Sequence, residues 1–228
     1  MDDQEPRRRH LLQRIAEELR SLEGRTGCRL SPGVEAALTA VPRHMFVGPG
    51  LQPAAYDDTA LPIGWRQTIS QPSIVALMTE LLRPQAGQTV LEVGTGSGYQ
   101  AAVLSQMVEQ VYSIETIPQL AEQASARLKQ LGITNVEVRC GDGRLGWPEH
   151  APYDGIIVTA AADKMPSALP PQLKPGARLV LPIGRHPYAQ NLWVFDKKED
   201  GAVEGRVILA VAFVPLVEPR DGPESNGA

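Results

Sequence analysis

A run of glycines beside an acidic residue is the part of this chain best suited to chemistry. Gly94, Gly96 and Gly98 follow the apolar run 89–93, which predicts a buried strand that ends in a tight turn. Glycines at this spacing let the backbone approach a ligand without side-chain obstruction. Glu115 ends the next predicted strand, where its carboxylate can accept hydrogen bonds from both ribose hydroxyls. The pattern therefore indicates a nucleoside-binding site.

The glycine spacing favours one nucleoside over others. Dinucleotide-binding proteins show G-x-G-x-x-G before a helix that holds a pyrophosphate, whereas this chain has G-x-G-x-G. Glu92 precedes the loop, where a carboxylate can meet a cationic amino-acid end. S-adenosylmethionine has no phosphate, carries a positive sulfonium and ends in an amino acid, so it suits this acidic setting. The alternative is a tight turn beside two surface acids. The predicted cofactor residues here are Glu92, Gly94, Thr95, Gly96, Ser97, Gly98 and Glu115.

A second acid flanked by glycines follows the third predicted strand. Gly141-Asp142-Gly143 would lie at the carboxyl end of that strand, beside the same crevice. Asp142 can accept a hydrogen bond from an adenine amino group. A lone G-D-G is more often a turn, but its position after the third strand favours cofactor binding by Gly141, Asp142 and Gly143.

Strands that alternate with helices would bring these motifs together. The pattern predicts an α/β fold with a doubly wound, mostly parallel sheet and helices on both faces. The last two strands are joined by a short turn near Asp200-Gly201, which predicts an antiparallel far edge. The predicted strands are 89–93, 111–115, 136–138, 154–158, 178–182, 192–195 and 207–214, and the predicted helices are 7–24, 32–41, 72–82, 98–107 and 117–131.

The chain divides into three predicted regions. Residues 1–71 form an N-terminal helical extension and a cleft segment of the same domain, and residues 72–217 form the core. Within the first region, residues 47–71 have turn-forming residues but little periodicity. A segment of this kind is more often functional than incidental, the alternative being a surface connection. Residues 218–228 lack apolar side chains and are predicted to be disordered.

Composition limits the compartment and the partners. The 228 residues are 43% hydrophobic and 21% charged with a net charge of −4, which disfavours a bulk basic surface for nucleic acid. Two distant cysteines, Cys28 and Cys140, are predicted to be reduced thiols rather than a disulfide framework or a metal site. No apolar run approaches the roughly 18 residues of a spanning helix, and residues 1–10 lack a signal-peptide core. We expect a cytoplasmic monomer with neither membrane nor nucleic acid as a partner.

Several segments resemble the protein-L-isoaspartate O-methyltransferase family over roughly residues 40–217. Many methyltransferases share the glycine loop, so the specific element is Thr68-Ile69-Ser70-Gln71-Pro72, which follows Ala55-Tyr56-Asp57-Asp58. Further similar segments are 90–102, Gly141-Asp142-Gly143 with Gly146, 151–154, 172–176 and 213–216.

The resemblance implies a Rossmann-like S-adenosylmethionine methyltransferase fold with an unusual strand order after the fifth strand. It implies methyl transfer from S-adenosyl-L-methionine to the free carboxylate of L-isoaspartyl residues in damaged proteins and peptides, with S-adenosyl-L-homocysteine as product. It places Ser70 at the transfer site. The shared cofactor and substrate cleft would be lined by Thr68, Ile69, Ser70, Gln71 and the segment from Val214 to Val217.

The predicted catalytic residue is Ser70. A carboxylate is already ionised at neutral pH and needs no general base, so catalysis depends on alignment and on desolvation of the nucleophile. The Ser70 hydroxyl can hold one carboxylate oxygen while the other faces the methyl group. The residues alone leave a second role equally open, in which Ser70 caps the helix that begins at Pro72. The resemblance favours the functional role.

The other predicted substrate contacts are Trp65, Arg66 and Val214. Trp65-Arg66 departs from the small residues common in relatives, which predicts an altered substrate entrance. Arg66 can attract the substrate carboxylate, although a solvated surface arginine is the simpler interpretation.

Three alternative functions remain at the level of sequence. A small-molecule methyltransferase has the same fold, and only the segment from Tyr56 to Pro72 argues against it. A nucleic-acid methyltransferase would need a basic, aromatic target-flipping segment, which the sequence does not show. A noncatalytic nucleoside-binding protein is disfavoured because Glu92, Glu115, Asp142 and Ser70 are all present.

Overall fold

The computed structural model describes residues 4–186 and 189–217, and the predicted tail lies outside these ranges. Nine strands are assigned there: β1 (Leu61–Gly64), β2 (Gln67–Ile69), β3 (Thr89–Val93), β4 (Gln110–Glu115), β5 (Val136–Cys140), β6 (Tyr153–Val158), β7 (Leu173–Ile183), β8 (Gln190–Lys197) and β9 (Val203–Val211). Seven of them form one sheet in the order β5-β4-β3-β6-β7-β8-β9. Strands β3 to β7 pair in parallel, whereas β8 and β9 pair antiparallel at one edge. The mostly parallel sheet with an antiparallel far edge is confirmed.

Five α-helices begin and end close to the predicted positions: α1 (Glu5–Thr26), α2 (Pro32–Ala40), α3 (Pro72–Leu82), α4 (Tyr99–Ser105) and α5 (Pro118–Gln130). Proline occupies the first turn of α1, α2, α3 and α5, where it removes no helical hydrogen bond. The Ser31 hydroxyl caps α2 by accepting from the Val34 N–H at 3.3 Å. None of the helices in residues 4–186 and 189–217 combines the length and apolarity needed to cross a membrane.

The N-terminal helices share a hydrophobic core with the sheet. Leu11, Ile15 and Leu19 of α1 are buried in the same cluster as Val90 and Val180 of the central strands. Burying a leucine or isoleucine side chain contributes about 1.5–3 kcal/mol, so these contacts fasten α1 to the sheet. Helix α1 thereby becomes a wall beside the end of β9.

The second face of the sheet differs from the prediction of helices on both faces. Its core joins strand residues to Trp147, Leu169 and other residues of irregular segments. Within residues 4–186 and 189–217, the connections that contribute to this core form short 3-10 turns, at 143–145, 148–150 and 170–172. Prolines recur along these connections and prevent long helices.

The aperiodic segment 47–71 forms a hairpin that the sequence analysis did not predict. Strands β1 and β2 pair antiparallel, and a two-residue turn, Trp65-Arg66, joins them. Both turn residues have positive φ, 48° and 58°, which suits the twist of a tight hairpin. Strands of four and three residues are too short to show a periodicity, and Trp-Arg is not an Asn-Gly type of turn signal.

The chain leaves the sheet earlier than predicted, because β9 ends at Val211 rather than at residue 214. The next residues return to the loop after β6, where the Ala161 N–H donates to the Val214 carbonyl at 2.8 Å and the Leu216 N–H donates to the Ala161 carbonyl at 2.7 Å. The buried Gln190 side chain also bonds both backbone groups of Phe213. This crossing carries Val214 and the following residues to the carboxyl ends of the parallel strands.

Candidate active site

The glycine loop lies at the carboxyl end of β3 and is held against the next strands. Gly94 has φ +100°, and a Cβ there would lie 2.5 Å from Thr159 Oγ1. Its N–H donates to the Ile114 carbonyl at 2.8 Å, which fixes the turn. Gly96 also has positive φ, +53°. Glycine is therefore required at position 94 by both conformation and space.

Glu115 ends β4 directly beside this loop. Its Oε2 accepts from the Gly96 N–H at 2.7 Å, and its Oε1 accepts from the Ile117 N–H at 3.0 Å. Burial raises the pKa of Glu115, and these backbone hydrogen bonds oppose the rise. Each carboxylate oxygen keeps a lone pair for a further donor, such as a ribose hydroxyl.

Glu92 lies beneath the loop rather than in the cavity wall. It is fully buried and accepts a hydrogen bond from Ser113, whose hydroxyl also bonds Thr95 Oγ1 at 2.6 Å. Burial raises the pKa of Glu92 to about 8. The structure therefore places Glu92 as a buried support for Thr95, and not among the residues that line the cavities described next.

Two adjoining cavities open at the carboxyl edge of the sheet and share Gln67, Gly94 and Ala160. Among the described residues that line them, Glu115 is the only charged one. A pyrophosphate would call for cations or a full set of helix amides, so this acidic wall fits a nucleoside with a positive charge and no phosphate. The first cavity is lined by Gln67, Thr68, Ile69, Ser70, Val75, Gly94, Thr95, Gly96, Ser97, Tyr99, Gln100, Glu115, Thr159, Ala160 and Val214. The second is lined by Gln67, Val93, Gly94, Ile114, Thr116, Ile117, Gly143, Ala160, Pro215, Leu216 and Val217.

Of the predicted cofactor residues that follow β5, some line a cavity and others do not. Gly143 lines the second cavity together with Val217, as the prediction of cofactor contacts requires. The Asp142 carboxylate instead pairs with Arg144, at 2.7 Å between Oδ2 and the guanidinium. Hydrogen bonds from Arg144 hold the pKa of Asp142 below its usual value. Gly98 and Gly141 lie outside the two linings and shape the turns beside them.

Ser70 lies where the first cavity meets a larger cleft. This cleft of about 740 Å³ runs between α1, residues 59–60 and residues 209–214, and it shares Thr68, Ser70, Thr159 and Val214 with the first cavity. Gln71 lies on the cleft side only. The junction is the point at which a bound nucleoside and a bound peptide can meet.

The structure does not use Ser70 as a helix cap. The N-cap of α3 is Gln71, which makes no side-chain cap bond. Asp58 instead accepts from the Ser73 N–H at 2.9 Å and from Gln71 Nε2 at 3.0 Å. The capping alternative for Ser70 is therefore wrong, because a residue from a distant loop takes that role.

The predicted substrate residues Trp65 and Arg66 occupy the tip of the β1–β2 hairpin. Trp65 is half-buried and Arg66 is exposed. Neither lines the two cavities or the cleft as described, although the neighbouring Gln67 and Thr68 do. Their contact with substrate stays a prediction.

Several residues of the site were missed by the sequence analysis. Thr159 and Ala160 follow β6 directly, and Thr116 and Ile117 follow β4, so all four lie where parallel strands end. Listing the residues that follow each predicted parallel strand would have found them. Asp58 and Arg43, by contrast, act over long sequence distances, and no local pattern marks their contacts. No group of three or more His, Cys, Asp or Glu side chains suited to a metal ion occurs within the described ranges.

The fold, together with the relatives described next, defines an S-adenosylmethionine-dependent methyltransferase. The family described as Protein-L-isoaspartate(D-aspartate) O-methyltransferase matches residues 14–221. The chain is 52% identical over 210 residues to Protein-L-isoaspartate O-methyltransferase 2 of Syntrophobacter fumaroxidans, covering 92% of this chain and 85% of the relative. It is 57% identical over 190 residues to the protein of the same name from Nitrosococcus oceani, covering 83% of this chain and 86% of that one.

Solved structures show the same likeness. A protein-L-isoaspartate O-methyltransferase structure superposes with a TM-score of 0.77 at 32% identity, covering 91% of this chain and 65% of that longer chain. A Plasmodium falciparum structure in complex with S-adenosyl-L-homocysteine has a TM-score of 0.73 at 24% identity, covering 90% of this chain and 98% of that one, which shows likeness of fold.

This chain belongs to the protein-L-isoaspartate(D-aspartate) O-methyltransferase family. The family, methyltransferase activity and cofactor predicted from the sequence are confirmed, and the solved structures confirm the fold class.

Proposed function

We propose that the two adjoining cavities hold S-adenosyl-L-methionine and that the large cleft presents an isoaspartyl side chain to it at Ser70. Glu115 would accept hydrogen bonds from the ribose hydroxyls, and the loop from Gly94 to Ser97 would lie along the amino-acid end of the cofactor. Gly143 and Val217 would border the adenine. When bound, the cofactor supplies an electrophilic methyl group on a positive sulfonium.

The proposal rests chiefly on one observation, namely that Ser70 lines both the first cavity and the cleft. Thr68, Thr159 and Val214 also line both, so these four residues mark the junction at which an acceptor group from the cleft would meet the cofactor. The Ser70 hydroxyl is free of a capping bond and can donate to one carboxylate oxygen. The second oxygen then faces the cofactor, which is the alignment that methyl transfer requires.

The side chains around Ser70 desolvate the nucleophile instead of deprotonating it. Ile69 and Val75 line the cavity and are 3% and 2% exposed. An isoaspartyl carboxylate is ionised at neutral pH, so the site needs no general base. Removing water from its oxygens makes them more reactive toward the methyl group. The product would be a methyl ester, with S-adenosyl-L-homocysteine left in the cavities.

Damaged proteins are the substrates of this family. The finer assignments for this chain are L-isoaspartyl residues in extended, accessible peptide segments that fit the open cleft. We further propose a cytoplasmic monomer that binds no nucleic acid, in keeping with the net charge of −4.

The direct test measures methyl transfer from labelled S-adenosyl-L-methionine to an isoaspartyl peptide and to the same peptide with a normal aspartyl residue. Only the first should be labelled. Ser70→Ala should lower turnover by roughly 10-fold to 150-fold, because a hydrogen bond to a charged group contributes about 1.5–3 kcal/mol. Cofactor affinity should stay near the wild-type value.

Ser105→Ala is the matched control, since Ser105 is a buried serine of α4 outside the cavities and the cleft. Its hydroxyl donates to the Ala102 carbonyl at 2.7 Å and accepts from Gln106 Nε2 at 3.2 Å. Equal labelling of both peptides would contradict the substrate assignment. Wild-type turnover in Ser70→Ala would contradict the role of Ser70 and leave the substrate assignment intact.

A further inference from the structure

Arg43 is a fully buried cation behind the acceptor side of the site. It begins the short 3-10 turn Arg43–Phe46 and has 0% relative exposure. A buried charge is costly unless polar groups surround it. Its guanidinium must therefore be held by specific partners, and those partners show what the residue does.

Three backbone carbonyls accept hydrogen bonds from this guanidinium. Nε donates to Ala55 O at 2.9 Å, and Nη2 donates to Thr59 O at 3.3 Å and to Ser70 O at 2.8 Å. The same cation lies 4.9 Å from the centroid of the Tyr99 ring, a favourable cation–π contact. One side chain thus joins both ends of segment 55–70 to the first residue of α4.

Asp58, an anion where Arg43 is a cation, holds the residues that follow Ser70. Its carboxylate accepts from Gln71 Nε2 and from the Ser73 N–H, as described above. The chain at 70–73 is therefore fixed from two sides. The Arg43 guanidinium donates to the Ser70 carbonyl, and the Asp58 carboxylate accepts from Gln71 and Ser73. Ser70 gains a defined backbone position although it lies at the open junction of two cavities.

We propose that Arg43 is a positioning residue for methyl transfer, which holds the Ser70 backbone so that its hydroxyl faces the acceptor carboxylate. This inference rests on the proposed role of Ser70. Tyr99 lines the cofactor cavity, so the same guanidinium contacts the wall of that cavity and the acceptor loop. Arg43 thereby sets the distance between the two reacting partners.

The planar guanidinium is needed for this geometry. It presents several N–H donors in a rigid fork, whereas a lysine ammonium is a compact point charge on a flexible stem. Arg43→Lys keeps the charge but cannot reach Ala55 and Ser70 from one plane. A displacement of about 1 Å at a reacting group can cost on the order of 100-fold in rate.

The test is a double-mutant cycle at saturating cofactor and isoaspartyl peptide, with single-turnover rate and cofactor affinity measured separately. Arg43→Lys should lower the single-turnover rate by roughly 10-fold to 100-fold in the wild type. In the Ser70→Ala background it should lower the rate by less than about 3-fold, because the group it positions is gone. Cofactor affinity should change by less than about 3-fold in both backgrounds.

Arg178→Lys is the matched control. Arg178 is a half-buried arginine that bonds the Leu81 carbonyl at 3.0 Å and Asp196 at 2.8 Å, away from the site. Arg178→Lys should have the same small effect on the single-turnover rate in the wild type and in Ser70→Ala. If Arg43→Lys fails to fold, the neutral Arg43→Gln, which removes the buried charge, takes its place in the cycle.

Each outcome separates the two proposals. Equal rate losses from Arg43→Lys in both backgrounds would overturn the positioning role, while a slow Ser70→Ala would still support the proposed function. A Ser70→Ala enzyme at the wild-type rate would overturn the role of Ser70 and, with it, this inference. Failure of both Arg43 variants to fold would make Arg43 a folding residue and would also overturn the proposal.

Discussion

The two halves of the site are held in place by different means. On the cofactor side, the glycine loop and Glu115 are residues at the ends of adjacent parallel strands, and backbone hydrogen bonds between neighbouring strands position them. On the acceptor side, Ser70 follows a three-residue strand, and side chains from distant loops, Arg43 and Asp58, position it. The first half therefore depends on the sheet, whereas the second depends on a few buried polar contacts.

This difference predicts where each half is vulnerable. Changes on the cofactor side should lower cofactor affinity, and a change at a loop glycine should disturb backbone packing as well. Changes on the acceptor side should alter rate or peptide preference and leave the cofactor bound. Four further predictions test the distinction, from the largest expected effect to the smallest.

Gly94→Ala should disrupt the cofactor half most severely. Its Cβ would lie 2.5 Å from Thr159 Oγ1 at a φ of +100°, so either the loop or the threonine must move. Overpacking of this kind costs about 1–3 kcal/mol of stability, and we expect cofactor affinity to fall by at least about 100-fold, or 2.7 kcal/mol. Thermal unfolding and calorimetry with S-adenosyl-L-methionine measure the two effects.

Gly87→Ala provides the control, because Gly87 has a similar φ of +80° but nothing within 4 Å of the added Cβ. It should show only a modest loss of stability from backbone strain and no loss of affinity. Tight cofactor binding by Gly94→Ala would show that the loop is less rigid than its contacts indicate.

Glu115→Ala should weaken cofactor binding with little effect on folding cooperativity. The loss of a charge-assisted pair of hydrogen bonds costs about 1.5–3 kcal/mol, or roughly 10-fold to 150-fold in affinity. Glu109→Ala is the control, because it removes the same charge from an exposed position. Comparing the two variants separates the loss of the Glu115 contact from the effect of the altered net charge. Equal affinities for the two variants would remove Glu115 from the cofactor site.

Glu92→Gln should change how stability depends on pH. The pKa of Glu92 is raised from 4.5 to about 8 by burial, so the folded state binds the proton more tightly than the unfolded state does. The stabilisation from this proton is complete below the unfolded pKa and is lost as pH rises toward 8. The free energy of unfolding of the wild type should fall by a few kcal/mol relative to Glu92→Gln between pH 5 and about 8.5.

Chemical denaturation of both proteins across this pH range gives the measurement, and titrations common to both cancel in the difference. A constant difference across the range would mean that Glu92 is ionised in the folded protein.

Replacing both Trp65 and Arg66 with glycine should have the smallest effect on the enzyme as a whole. Both positions have positive φ, which glycine adopts without strain, so the hairpin and cofactor affinity should be retained. The ranking of isoaspartyl peptides with different flanking residues should change, since the hairpin tip adjoins the residues that line the cleft. An unchanged ranking over a peptide panel would exclude these side chains from substrate choice.

The positions predicted from the sequence are confirmed where residues lie at the ends of regular, periodic strands. The strand from Thr89 to Val93, the glycines after it and Glu115 occur at strand ends, so their neighbourhood follows from the rule that parallel strands meet at one edge. The hairpin β1–β2 was not predicted because its strands are too short to show alternation. Gly143 and Val217 reach the second cavity, whereas Asp142 turns to Arg144.

By itself, the sequence determined the parallel sheet, its antiparallel edge and the glycine loop after β3, because these depend on local hydrophobic patterns and on glycine at turns. Only the tertiary structure decided that Glu92 supports Thr95 from below, that Asp58 rather than Ser70 caps α3, and that Arg43 binds the Ser70 carbonyl. The physical reason is that a buried polar side chain takes whichever partners the folded chain brings to it. Arg43 and Ser70 lie 27 residues apart, and no local pattern records their contact.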